Sequence, residues 1–380
     1  MYFYVDESGH TGSNLFDATQ PTLFYGVLSA SVNVDVLALE TVQDLRRVVG
    51  LDRLHASEIG LRGLARIGAG LLTLQRRHDL FFDIYRVEKA DHAVIAFFDQ
   101  VFDAGTNPAV AWHHYWTPMR YVLLLKVAAL FDEPLARDAW AARVIRNGQE
   151  SNRLVTHVCN SLIDRLPKIP DARSREVILE ALRWAAANPA ALSYHAFDAA
   201  SATAIMPNVI GFQSVLSRIA QRLRANSTRR VSITVDRQSQ FNAAQRALTE
   251  MYRRARGNVV PMGPGMPIVD WRGMPETPLR ISGGSDSVGL EITDCLLYIF
   301  RRVITNQNIP LELTPLARRY LRRMQTDEVS LRAISRRWAT WFDGLADPTP
   351  EQMDEARRLL AFAEERRQKA VAAAADGEGH

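Results

Sequence analysis

The placement of strand-forming runs constrains this chain most. Three fall within the first 90 residues, and the fourth arrives only at Val231. They are Tyr2 to Glu7, Thr22 to Ser31, Leu80 to Val87 and Val231 to Asp236. The last, VSITVD, alternates apolar and polar residues as a half-buried strand does. A weaker fifth run, Pro267 to Trp271, follows a Gly/Pro-rich stretch. Val36 to Val48 and Leu61 to Leu74 have helical periodicity, as does nearly everything from Ala90 to Ala225. That last stretch is broken near Pro118, Pro134, Pro167, Pro170 and Pro189 and is too long for a connection, so it reads as an inserted helical region. Val288 to Ile304 is an apolar helix, and helical patterns continue to about Arg367. This order predicts an α/β fold with a mixed sheet. The expected division is a core of residues 1–90 and 229–305, a helical insertion at 91–228, a helical C-terminal extension at 306–369 and a frayed tail at 370–380.

The chain has 380 residues, 47% of them apolar, enough for a core of this size with insertions. Its two cysteines, Cys159 and Cys295, sit in apolar helical patterns and exclude a disulfide framework or a four-thiolate zinc site. The opening residues lack the basic start and apolar run of a signal peptide, and no apolar helix is long enough to span a bilayer. A cytoplasmic protein without a membrane partner is expected. The net charge is +4, and nearly all the positive charge is arginine. Nine arginines lie from Arg222 to Arg256 against two acids, and nine more from Arg301 to Arg337 against three. Clustered guanidinium groups can track a phosphate backbone, so nucleic acid, DNA or RNA, is the expected partner. Arg229 and Arg230 precede the fourth strand and Arg237 follows it. Equally, such charge can be a solvated helix face.

The chemistry rests on carboxylates. Strand side chains alternate between faces. Tyr2, Tyr4 and Asp6 therefore share one face of the first strand, and Ser232, Thr234 and Asp236 share one face of the fourth. An aspartate ending an apolar strand is costly to bury alone and needs a partner, water or a metal. In the late helix, Glu291 and Asp294 stand three residues apart on one face, behind an N-cap at Ser285, Asp286 or Ser287. Converging carboxylates make a hard-oxygen site suited to Mg²⁺ or Mn²⁺. His55 and Glu58, also three apart, could add a general acid or base. His10, beside the Ser8-Gly9 turn, could contact a phosphate. Trp112 to Trp116, with His113 and His114, is an aromatic cluster that either stacks bases or packs the insertion.

The segment from Phe3 to Gly12, with Asp6-Glu7-Ser8-Gly9 after an apolar strand, resembles the opening of the domain of unknown function family numbered three thousand eight hundred. Further segments are similar in order. They are Leu54 to Ile59 with its His-Ala-x-Glu pattern, Met206 to Phe212 with Pro-Asn-x-x-x-Phe, Val231 to Gln238, and Asp286-Ser287 followed by Gly289 to Asp294. The resemblance spans about residues 1 to 305. It implies a ribonuclease H-like core with metal carboxylates at Asp6, Asp236 and Asp294. The chain departs from the family pattern at Glu291 and Thr293, where glutamine and alanine are usual, and Glu291 could be a fourth ligand. Members often occur with mobile elements and bacterial defence against phage, which implies a role there with a partner protein.

These readings lead to a Mg²⁺- or Mn²⁺-dependent nuclease-like phosphodiesterase. Asp6, Asp236 and Asp294 hold the ions, and Glu58, His55 or Glu291 assists. Arg229, Arg230, Arg237 and His10 meet the nucleic acid. The rival reading is a non-catalytic ribonuclease H-like module that binds nucleic acid or a partner protein. Strand transfer would use the same acids but needs a second DNA-binding module, which the sequence does not offer.

Overall fold

The computed structural model describes residues 1–225 and 230–377, with Arg229 outside them. Eight strands occur among these residues: β1 Tyr2–Ser8, β2 Thr22–Ala30, β3 Phe81–Glu88, β4 Ser232–Asp236, β5 Val259–Pro261, β6 Ile268–Asp270, β7 Leu279–Ser282 and β8 Thr326–Val329. Six form one mixed sheet in the order β7-β4-β1-β2-β3-β8. The first three make an antiparallel meander, β4 lies parallel to β1, β7 parallel to β4, and β8 parallel to β3. The α/β expectation is met.

The alternation of β1 explains its central place. Phe3 and Val5 are buried on one face with Tyr25, Val27, Ile233 and Val235, under the helix Pro207–Ala225. Tyr4 is buried on the other face with Phe24, Leu28, Phe82 and Ile84, under the helices Ala56–His78, Val288–Ile304 and Thr314–Leu321. Each such side chain contributes about 1.5–3 kcal/mol by leaving water. A third core, from Phe97 to Tyr194, belongs to the insertion. The helix Pro207–Ala225 packs on the sheet instead, so its Val209, Phe212 and Val215 belong to the core layer and not to the insertion as expected.

Other expectations change as well. The fifth run forms β6, which pairs with β5 in a separate two-stranded ribbon. The sheet's outer positions go to β7 and β8, four-residue edge strands that the sequence reading did not find. The C-terminal extension is therefore not wholly helical. The last helix, Pro350–Gly377, runs through most of the segment expected to fray. Among the described residues no helix is long and apolar enough to cross a membrane.

A glycine decides how closely the late helix approaches β1. A Cβ at Gly289 would sit 2.3 Å from the Tyr4 ring, so only glycine lets Val288–Ile304 lie directly on the strand.

Candidate metal centre

In the register of β1 and β4, Tyr4 lies opposite Thr234 and Val5 opposite Val235. One step further brings Asp6 beside Asp236, at the carboxyl-terminal ends of two parallel strands and on the same face. The late helix starts above this point. Ser287 is its N-cap, its hydroxyl accepting from Leu290 N–H at 3.3 Å and donating to Asp35 at 2.7 Å. Asp35 also accepts from Gly289 N–H at 3.0 Å, which fixes the helix start. Two turns on, Asp294 faces the strand ends. Asp6, Asp236 and Asp294 thus line one hollow of ≈ 180 Å³, together with Glu7, Arg53, Leu54, His55, Gly284, Leu290 and Glu291.

The electrostatics are unbalanced. Asp6 is buried, and its protein hydrogen bond comes from Glu7 N–H at 2.7 Å. Burial, then the charges of Asp294 and Asp236, push its carboxyl well above the usual carboxylate range. Burial raises Asp236 too; the Arg237 N–H opposes this and Asp294 adds to it. Glu7 is pushed up to about 7 by burial and Asp236, although Asn208 donates to it at 3.2 Å. Acids that raise one another's pKa need either protons or a cation. The donor set is all hard oxygen, which fits Mg²⁺ or Mn²⁺. Among the described residues, no group of three or more His, Cys, Asp or Glu side chains is already gathered in a metal-holding arrangement.

His55 caps the start of the helix Ala56–His78 and its ring joins the site. Nδ1 lies 2.9 Å from Asp294 Oδ2, and Nε2 lies 2.9 Å from Ser57 Oγ. With the carboxylate accepting, Nδ1 carries the proton and Ser57 donates to Nε2. Ala56 N–H also donates to Asp294 Oδ2, at 2.8 Å. Both contacts fall on one oxygen, Oδ2, so they orient Asp294 within the wall of the hollow. Glu291 lines the hollow but is buried and spent. Arg46 donates to both its oxygens, through Nε at 3.1 Å to one of them, and Leu54 N–H donates at 2.6 Å. This makes it an anchor for the loop that carries His55, and a poor fourth ligand.

The remaining expected residues are placed differently. Glu58 is exposed, outside the hollow, and faces Arg53 at 3.3 Å. His10 lies outside it as well, between Gly12 N–H at 3.1 Å and Gln240 at 2.9 Å, edge-on to Phe241. Arg237 is exposed just past Asp236. Arg230 stands before the first residue of β4, where its carbonyl accepts from the Met1 amino group. It is thus at the opposite end of β4 from Asp236, about 20 Å away at 3.3 Å per strand residue. Of its neighbours in sequence, Arg222, Arg224, Arg253, Arg254 and Arg256 are all tied to carboxylates. The aromatic cluster divides: His114 and Tyr115 are buried in the insertion, and Trp112 is exposed.

Two site residues escaped the sequence reading. Strand alternation puts Glu7 on the opposite face of β1 from Asp6, yet near the end of the strand it still lines the hollow. Its place inside Asp-Glu-Ser-Gly was the available signal. Arg53 carried none beyond its closeness to His55. No family model matches this chain, and no curated protein or solved structure matches it.

Proposed function

We propose that the hollow is a divalent-cation centre and that the protein is a Mg²⁺- or Mn²⁺-dependent phosphodiesterase acting on nucleic acid. One observation carries this reading: three acids from β1, β4 and the late helix, far apart in sequence, share one hollow, where burial and the charges of Asp294 and Asp236 push the carboxyl of Asp6 up. Asp6 and Asp236 would hold the ion from the strands and Asp294 from the helix. When bound, such a cation stabilises the charge that develops on a phosphodiester under attack. His55 keeps Asp294 in place, and Arg53 on the wall offers a contact for a phosphate oxygen. An antiparallel meander extended on the β1 side by parallel strands supports a ribonuclease H-like core.

The test is a cleavage screen with Mg²⁺ and Mn²⁺ over single- and double-stranded DNA and RNA, wild type against Asp236→Asn. Metal-dependent cleavage that the variant lacks is expected. A wild type that cleaves nothing, or a variant as active as wild type, would overturn the reading. In the first case the rival role, a binding module, takes its place.

A further inference from the structure

The helix Ala56–His78 starts at the hollow and leads away from it, and its outer face is unusual in charge. Beyond the kink at Gly60 it contains no Asp or Glu. Arg62, Arg66, Ala69, Thr73 and Arg76 are spaced four, three, four and three residues apart and are all exposed, so they form one stripe. Arg66 donates to the Val48 carbonyl. Among the described residues Arg62 and Arg76 have no ion-pair partner.

The stripe ends in a second hollow, of ≈ 550 Å³. Arg76, Arg318, Arg319 and Arg322 line it with Leu311, Thr314 and Pro315, and no acid is in its wall. Arg319 donates to Gln75 at 2.9 Å. Arg318 and Arg322 have no ion-pair partner among the described residues. Elsewhere the chain pairs its arginines freely, as at Arg253, Arg254 and Arg256. Four guanidinium groups around one space repel one another unless an anion enters it.

We infer that this stripe and its terminal hollow form a phosphate-backbone track that holds double-stranded nucleic acid leading away from the acidic centre. The inference rests on the nuclease reading and names the substrate class for it. Arg62 and Arg76 are roughly 21 Å apart at 1.5 Å per helical residue. That spans about six base pairs at 3.4 Å each, and Arg53 and Arg322 extend it at either end. A duplex is favoured over a single strand because the track has no platform for bases. The helix Ala56–His78 contains no Phe, Tyr or Trp, and Tyr320 beside the second hollow is buried. Single-strand sites combine positive charge with such rings.

The experiment is a binding titration without added divalent cation, at several salt concentrations, using hairpins with short and long stems, about 5 and 16 base pairs. Wild type is compared with the quadruple variant R62Q/R76Q/R318Q/R322Q, whose exposed positions leave the core untouched. Wild type should bind the long stem at least about tenfold more tightly than the short one at low salt. The variant should lose that preference, and its salt slope on the long stem should flatten by about 3 to 4. An unchanged slope and preference would overturn the track. So would a wild type that binds a single strand as tightly as the long hairpin. Cleavage is scored separately with Mg²⁺ or Mn²⁺. Tight, length-dependent binding without cleavage would support the track and overturn the nuclease reading instead.

Discussion

Asp6 and Asp83 are both buried aspartates on strands of one sheet, yet their surroundings are opposite. Asp83, fully buried, accepts from Arg218 Nε at 2.9 Å, from Arg222 at 3.0 and 2.7 Å, and from Gln325 N–H at 2.9 Å. Those contacts fasten β3 to the helix Pro207–Ala225 and to the chain entering β8. Asp6 has one backbone N–H and two neighbouring aspartates. A carboxylate buried for structure is given its counter-charges by the chain. One buried among other carboxylates has a charge that the chain leaves for something else to neutralise.

Substitution tests this contrast, and the largest effect belongs to the acidic hollow. Asp6→Asn should lower metal-dependent cleavage by more than about 100-fold, above the 10- to 100-fold typical of groups that only support a ligand. Single-turnover cleavage at saturating Mn²⁺ measures it, and a loss under tenfold would remove Asp6 from the ligands. Asp83→Asn should do the reverse. It leaves two guanidinium groups without their shared acid, which costs about 3–5 kcal/mol of stability. Urea unfolding reads this directly, and an unchanged midpoint would mean that the two aspartates are not different in kind.

His114 sharpens the contrast, being a buried base with no ion-pair partner among the described residues. Burial, then His113, lowers it to about 3. The folded state therefore stays neutral where the unfolded chain, near 6.5, takes up a proton. Stability from this group is present above pH 6.5 and is lost as pH falls toward 3. About 1 kcal/mol should go between pH 6.5 and 5.5. A His114→Phe variant should lose less over that interval; an identical pH profile would show that His114 is solvated. The smallest effect returns to Asp6. Without metal, Asp6→Asn should hold or raise stability, by up to about 1 kcal/mol, because it removes a repelling charge. A clear loss in a metal-free thermal melt would make Asp6 structural after all.

Legibility followed the same divide. Strands that alternate over an apolar core were readable: β1 to β4 lie within a residue of the runs seen in sequence. The edge strands β7 (LRIS) and β8 (TDEV) were not, because an edge with few buried side chains needs little apolar content. Asp6 and Asp236 were readable because each ends such an alternation. Glu291 and Asp294 were correctly placed on one helix face. Their separate fates were hidden, since Arg46, which occupies Glu291, comes from a helix 245 residues away in sequence. Charge pairing was hidden for a related reason. Counting along the chain favoured Arg222 to Arg256, but in space Arg222, Arg224, Arg253, Arg254 and Arg256 meet carboxylates, while Arg62 and Arg76 have no ion-pair partner among the described residues.

The strand order also has a consequence in time. β1 can pair with β2 as soon as both have left the ribosome, but its other neighbour, β4, begins only at Ser232, and Asp294 comes later still. At 5–20 residues per second, roughly 15–60 seconds of translation separate Asp6 from Asp294. Throughout that interval the nascent chain carries an exposed edge on β1 and an incomplete set of acids. The three carboxylates come together only after the insertion has been made and β4 has docked, so a chain stalled before the late helix has no assembled centre to release into the cell.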